Sequence, residues 1–260
     1  MYRTTPIVQK LLLLNIAIFF IHNILDIDLI DSFGLRCVLS SYFRPYQFFT
    51  HLFIHTTSGH LFSNMLSLFT FGPVLEQTMR TKRFVSFYAI TGLGAALLYA
   101  GIQYVEITKL RTLCSIHCMQ PTPQSLVDYL EYFPKYLYSS FSPFITHFFE
   151  NPDDIAYIAK SKVIARELYT LKADIVTVGA SGSVFGIFTA FAMLFPNTDI
   201  FLIFMPFPIK AKYMILAYGA YEFYAGIKAN PMDNVAHFAH LGGILFAYLF
   251  VKLWQKQHYR

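Results

Sequence analysis

Long apolar runs alternate with short polar connections along this chain, and the runs exceed what the buried helices of a water-soluble domain need. A bilayer span takes about 20 mostly apolar residues. Six stretches reach or approach that length: 7–25, 60–79, 84–104, 175–194, 211–227 and 235–253. The fifth is the shortest and carries Glu222. The pattern predicts an all-α polytopic membrane protein with six transmembrane helices. The first stretch continues for a full span without a small-residue cleavage site, so it reads as a retained anchor rather than a signal peptide. Between the first two spans, SYFRPYQFFTHLFIH (41–55) mixes aromatics with isolated charges, as suits a segment at the membrane surface. Between the third and fourth, residues 105–172 are more polar, carry Pro121, Pro123, Pro134, Pro143 and Pro152, and hold a helical pattern at 153–172. That stretch is expected as an outer insertion, partly helical and partly irregular, within a single membrane domain of residues 1–260.

Composition agrees with the pattern. Of 260 residues, 55% are hydrophobic and only 13% charged, well away from soluble usage. The net charge of +5 raises the question of nucleic acid, but basic clusters such as RTKR (80–83) are short and flank apolar spans. Lipid headgroups are the better partner. Lys and Arg in short connections set orientation. With the N-terminus inside, the cytoplasmic face holds Arg3, Lys10, Arg80, Lys82, Arg83, Lys210, Lys212, Lys252, Lys256 and Arg260, and the short outer loops hold only Arg36, Arg44 and Lys228. Both termini are therefore expected in the cytoplasm. Cys37, Cys114 and Cys118 fall on the outer side, where a Cys114–Cys118 disulfide and free thiols are both open. With His117 between them they fit no familiar zinc spacing.

Hydrogen-bonding groups at membrane depth are costly, which makes them functional candidates. Three segments stand out, SGHLFSNM (58–65), GASGSVFG (179–186) and VAHFAHLGG (235–243), and each opens an even-numbered span. Alternating topology makes all three enter from the outer face. His60, Ser181 and His240 then lie one to two turns inside it, at a depth of ~5 to 10 Å. His60 and Asn64 are one turn apart and share a helix face. Gly179, Gly182 and Gly186 on the fourth span, and Ala236, Gly243 and Ala247 around His240 on the sixth, form small-residue stripes that would let those two helices approach closely.

A serine hydroxyl becomes a nucleophile when a neutral imidazole within hydrogen-bond reach takes its proton. The resulting oxyanion needs donors, which His60, the Asn64 amide and the Ser181 backbone N–H can supply. No carboxylate is expected beside the pair, since Asp174, Glu222 and Asp233 fall near the outer edge; a Ser181/His240 dyad is the expectation. His237, one turn before His240, is the rival base. A serine between glycines is on its own an ordinary packing residue, a lone intramembrane histidine is often just an interhelical hydrogen bonder, and GASGS lacks the strand and second glycine of a GxSxG elbow. The coincidence of serine, histidine and donors at one depth lifts the catalytic reading. Ser183, about 200° around the helix from Ser181, is expected to point elsewhere and to be dispensable.

With these residues assembled, the chain resembles the rhomboid family of intramembrane serine proteases. The resemblance rests on FRPYQFFTHLFIH followed by HLFSN, then GASG, FPNT with FMPFPIKAKY, and AHFAHLGG, and covers roughly 1–104 and 175–255. It implies a six-helix rhomboid-like bundle with Ser181 as nucleophile, His240 as general base, and His60 with Asn64 at the oxyanion site. It also implies hydrolysis of peptide bonds in or near transmembrane helices of other proteins, without metal, nucleotide or other cofactor. Transmembrane protein substrates and the bilayer are the expected partners, nucleic acid is not, and a bacterial inner membrane is the expected location. The chain departs from some members in having Tyr46 and Gln47 where they carry Trp-Arg, and Phe185 in place of a tyrosine; a phenyl ring can still pack on His240. The larger 105–172 segment is expected to contact substrate or shield the opening. Two other readings stand beside this one. A catalytically silent rhomboid-like protein would bind membrane clients without cleaving them. A metal-dependent membrane hydrolase would use His51 with His55, or His237 with His240, although no HExxH occurs.

Overall fold

The computed structural model describes residues 4–201, 207–228, 233 and 235–258. Arg3 and Arg260, used above for orientation, and the start of FMPFPIKAKY lie outside the described residues. The chain is mostly helical: α1 (Pro6–Ile24), α2 (Leu29–Phe33), α3 (Gln47–Thr50) running into a 3-10 turn, α4 (Ser58–Met79), α5 (Thr81–Met119), α6 (Pro123–Leu130), α7 (Lys135–Glu150), α8 (Ile155–Ala173), α9 (Ser181–Leu194), α10 (Ala211–Lys228) and α11 (His237–His258). Strands β1 (Asp199–Ile200) and β2 (Ile209–Lys210) pair antiparallel, Asp199 opposite Lys210. Among the described residues, three helices are long and apolar enough to cross a membrane, within Pro6–Ile24, Thr81–Met119 and His237–Gln257, and α9 is a shorter apolar helix. Together with outward-facing Leu13, Phe20, Leu216 and Leu253, they make this an integral membrane protein.

The chain forms two compact units. One comprises the residues up to Leu35, Arg44–Tyr99 and those from Val176 onward; the other comprises Arg36–Phe43 and Ala100–Ile175. In the first, Val8, Leu68, Leu75, Met79, Phe84, Phe87, Ile187, Ala190, Ala247 and Val251 form a buried core that joins α1, α4, α9, α11 and the first part of α5. The start of α1 shows how sequence becomes structure here. Pro6 at the first helical position needs no amide partner, and Thr5 makes no side-chain cap. The orphan amides are taken instead from across the bundle, where the buried Glu76 carboxylate of α4 accepts from Ile7 N at 3.2 Å and Val8 N at 3.1 Å, and from Thr81 Oγ1 at 3.1 Å. Negative charge at a helix N-terminus meets both the amides and the macrodipole. On α4 itself, Thr57 caps through its hydroxyl, which accepts from His60 N at 3.1 Å.

Two boundaries differ from expectation. α5 is 39 residues long, about 58 Å, far more than one span. α9 begins at Ser181, not at 175.

The second unit is more regular than its prolines suggested. Pro123 sits at a helix start, Pro134 caps α7, and Pro121 and Pro152 lie between helices; only Pro143 is internal. Proline is tolerated where an amide would lack a partner, so the expected irregular stretch is largely α6 and α7, and the helix expected at 153–172 is α8. Leu126, Tyr129, Leu130, Phe148, Ala165 and Cys37 fill its core, and the Tyr129 hydroxyl donates to Ala165 O at 2.8 Å. All three cysteines are free. Both ring nitrogens of His117 face hydroxyls, Ser125 Oγ at 2.7 Å and Ser161 Oγ at 3.1 Å, which leaves none for a metal shared with those thiols.

Replacing Glu76 by Gln removes the charge from the α1 N-terminus while keeping its shape. The expected loss is about 1 to 2 kcal/mol, read as an earlier transition when the detergent-solubilised protein is unfolded with increasing SDS.

Candidate active site

Ser181 is placed by the six residues before it, which are not helical. Leu35 and Thr177 exchange backbone bonds of 2.8 Å in an isolated antiparallel bridge, and Gly179 N donates to His51 O at 2.9 Å. Gly179 then turns with φ +120°, a conformation open to glycine and strained for other residues. The chain enters α9 directly after it, so Ser181 stands at the N-terminus of α9. The first amides of a helix lack intrahelical partners, and Ser181 is the first residue of α9. A Cβ on Gly179 would lie 2.6 Å from His60 Nε2, so the residue expected on a packing stripe is instead a hinge pressed against the His60 ring. Gly186 packs on α5, where a Cβ would meet Thr91 Cβ at 2.8 Å, and Gly182 lies between α5 and α11, where a Cβ would meet Ala95 Cβ at 2.6 Å and Ala239 O at 3.8 Å.

The sixth-span stripe does bring two backbones together. A Cβ on Gly243 would lie 2.1 Å from Gly182 O, which makes this one of the tightest approaches between α11 and α9. One turn earlier on α11, His240 Nε2 lies 2.9 Å from Ser181 Oγ, within range for the hydroxyl to donate to the ring. Phe185, one turn beyond Ser181, stacks on the His240 ring with centroids 4.2 Å apart and planes 13° apart. Ser183 turns to α5 and donates to Tyr88 O at 2.9 Å.

Sequence reasoning expected no carboxylate beside this pair, yet Glu222 on α10 is there. It is buried, with Oε2 at 3.0 Å from His240 Nδ1 and 2.6 Å from His237 Nδ1. The His240 approach is at ion-pair distance but outside hydrogen-bond direction, and Nδ1 has no hydrogen-bond partner among the described residues. His237 points away from Ser181, and its Nε2 faces Asp233 Oδ2 at 3.0 Å. The hydrogen bond from this ring holds the Asp233 carboxyl below the usual carboxylate range. A single acidic residue in a mostly apolar span was the available signal for Glu222; its partner could not be read from spacing, because the two residues stand on different helices.

Asn64 is buried one turn after His60, and its amide Nδ2 has no hydrogen-bond partner among the described residues. It lies 3.8 Å from the Cβ position of Gly179. His55 supports the His60 ring edge-on, with centroids 5.0 Å apart. The surface segment is thus more buried than expected: burial pushes His51 down to about 4 and His55 down to about 3, so both are neutral imidazoles that shape the loop carrying the His51 carbonyl to Gly179.

Comparison with known proteins adds an independent line. A family model described as the Rhomboid domain matches residues 42–108 and 141–256. Rhomboid protease AarA of Providencia stuartii is 33% identical over 107 residues, which cover 38% of this chain and 38% of that protein. An uncharacterized mitochondrial rhomboid protein of Schizosaccharomyces pombe is 25% identical over 213 residues, 79% of this chain and 50% of that protein. The chain therefore matches half or less of the length of these relatives.

Substituting Gly243 by Ala forces α11 away from α9, because the obstruction is the backbone oxygen of Gly182. A displacement of about 1 Å is expected to slow labelling of Ser181 by a fluorophosphonate probe by ~10²-fold. Gly59→Ala, where an added Cβ meets nothing within 4 Å, serves as the control and should label as wild type.

Proposed function

Because the chain belongs to the rhomboid family, we propose that it is an intramembrane serine endopeptidase that hydrolyses peptide bonds in or near transmembrane segments of other membrane proteins. The observation that carries this reading is the 2.9 Å contact between Ser181 Oγ and His240 Nε2, with an unpaired amide donor, Asn64 Nδ2, buried nearby. A buried donor without a partner costs about 1 to 3 kcal/mol. Such a group makes sense where the partner arrives with the reaction.

In the proposed mechanism Ser181 Oγ attacks the scissile carbonyl carbon while its proton passes to His240 Nε2. The carbonyl oxygen becomes an oxyanion, held by Asn64 Nδ2, His60 and the amides at the start of α9. Collapse expels the amine, which takes the proton back from His240 and leaves an acyl-serine. Water then repeats the sequence and releases Ser181. Glu222, with Oε2 3.0 Å from Nδ1, places negative charge beside the imidazolium that forms midway, and Phe185 holds the ring flat.

The architecture that goes with this activity is a single membrane domain of six spans, in which α4, α9 and α10 join α1, α5 and α11. Residues 105–172 form an outer insertion between spans three and four, and both termini are cytoplasmic. Substrates are transmembrane proteins reached within the bilayer. The location that goes with this reading is a bacterial inner membrane.

A fluorophosphonate probe applied to the detergent-solubilised protein is expected to label wild type and Ser183→Ala but neither Ser181→Ala nor His240→Ala. Labelling that persists in Ser181→Ala overturns the assignment. Absence of labelling in the folded wild type favours a client-binding protein without catalysis, and peptide hydrolysis that survives Ser181→Ala but not a chelator favours a metal-dependent hydrolase. Asn64→Ala is expected to keep the fold and lose roughly 2 to 4 kcal/mol of transition-state stabilisation, measured as kcat/KM on a transmembrane substrate.

A further inference from the structure

We propose that Glu222, His237 and His240 form a zinc site, and that zinc bound there switches the Ser181/His240 pair off. The inhibitory half rests on the protease reading above, whereas the binding half does not. The three residues offer one oxygen and two nitrogens that all lie within 4.8 Å of one another. Glu222 Oε2 sits 2.6 Å from His237 Nδ1 and 3.0 Å from His240 Nδ1. All three residues are buried, and His240, 9% exposed, presents an Nδ1 with no hydrogen-bond partner among the described residues. That nitrogen lies at the Glu222 oxygen without bonding to it in direction.

Donor chemistry favours zinc. Tetrahedral Zn²⁺ with N and O ligands at 2.0–2.1 Å holds neighbouring donor atoms about 3.3 Å apart. Glu222 Oε2 therefore has to move off each ring by less than about 1 Å, and the two ring nitrogens, within 4.8 Å of one another, have to close by up to about 1.5 Å. Two imidazoles with one carboxylate suit zinc and disfavour Mg²⁺ and Ca²⁺, which take oxygen ligands. His237 brings the usual outer partner of a ligating imidazole, a carboxylate on its other nitrogen: Asp233 Oδ2 is 3.0 Å from Nε2. The Asp233 side chain is 27% exposed, which marks the side from which an ion arrives; water fills the fourth position.

The consequence for catalysis follows from the imidazole tautomer. His240 acts as a base only if its proton is on Nδ1 and its lone pair is on Nε2, facing Ser181. A metal on Nδ1 takes the lone pair there, so the single proton of the neutral ring moves to Nε2. That nitrogen now presents N–H to Ser181 Oγ and cannot accept its proton. The metal also engages the Glu222 charge that favoured the imidazolium. Zinc here inhibits the serine chemistry by occupying its base.

The binding arm uses the full-length Ser181→Ala protein in detergent, whose three ligands are intact whether or not the chain is a protease. After dialysis against zinc chloride it is expected to retain zinc measured by plasma mass spectrometry, and to lose it when Glu222→Gln or His237→Gln is added. Wild type should melt at a higher temperature with zinc but not with magnesium or calcium, a readout that needs no variant. In the activity arm, zinc is expected to slow fluorophosphonate labelling of wild type by about 10²-fold or more, the worth of a general base, with recovery on adding EDTA. His237→Gln should label at one rate with and without zinc. Zinc retention that is unchanged by both substitutions, or no retention, overturns the site. Zinc bound through these residues with labelling undiminished overturns the switch. If wild type fails to label even with EDTA, the protease reading fails and the retention and melting measurements still decide the site.

Discussion

The close approach of two helix backbones at Gly182 and Gly243 governs the rest of the structure. The Gly243 Cα faces Gly182 O with no room for a side chain, and His240 sits one turn away on the same helix. A histidine side chain reaches only a few ångströms from its backbone, so the 2.9 Å contact with Ser181 exists only at this separation of α9 and α11. Small residues in membrane helices are commonly explained by packing. Here the packing and the site geometry are one constraint, since the distance that closes the bundle also sets the distance between the Ser181 hydroxyl and the His240 ring.

A second constraint acts on the same residues from the other side. Polar groups removed from water must find partners, and around α9 nearly all do: Ser183 bonds Tyr88 O, Gly179 N bonds His51 O, and His237 lies between Glu222 and Asp233. The exceptions in this region include Asn64 Nδ2, the nitrogens of His55 beside His60, and His240 Nδ1 on the ring whose Nε2 meets Ser181 Oγ. Unpaired polarity gathers where the proposed oxyanion and imidazolium would develop, which is what electrostatic preorganisation requires. The same openness at Nδ1 makes the site accessible to a cation, so catalytic readiness and susceptibility to zinc share one cause.

The approach to α9 is held by backbone contacts rather than by helix. The Leu35–Thr177 bridge and the His51 carbonyl hold residues 177–179 extended, and Gly179 supplies the positive φ that lets a helix begin at Ser181. Neutral His51 and His55, buried in the preceding loop, keep that scaffold rigid without adding charge.

What the sequence by itself determined is what depends on local composition and spacing. Apolar runs announced a helical membrane protein, the one-turn spacing of His60 and Asn64 set them on one face, and GASG with AHLGG singled out Ser181 and His240, because cost of burial and helical period are properties of a short window. The stripe at Gly243 was also legible, since a small residue is small in any context. Three things were decided only by tertiary structure. Ser181 stands at a helix start because a strand bridge to residue 35 outcompetes helix over 175–180. Gly186 faces α5 while Gly182 meets both α5 and α11, because rotation of α9 is set by all its neighbours together. Glu222 joins His240 because α10 and α11 pack side by side, a contact across 18 positions of sequence that no periodicity encodes.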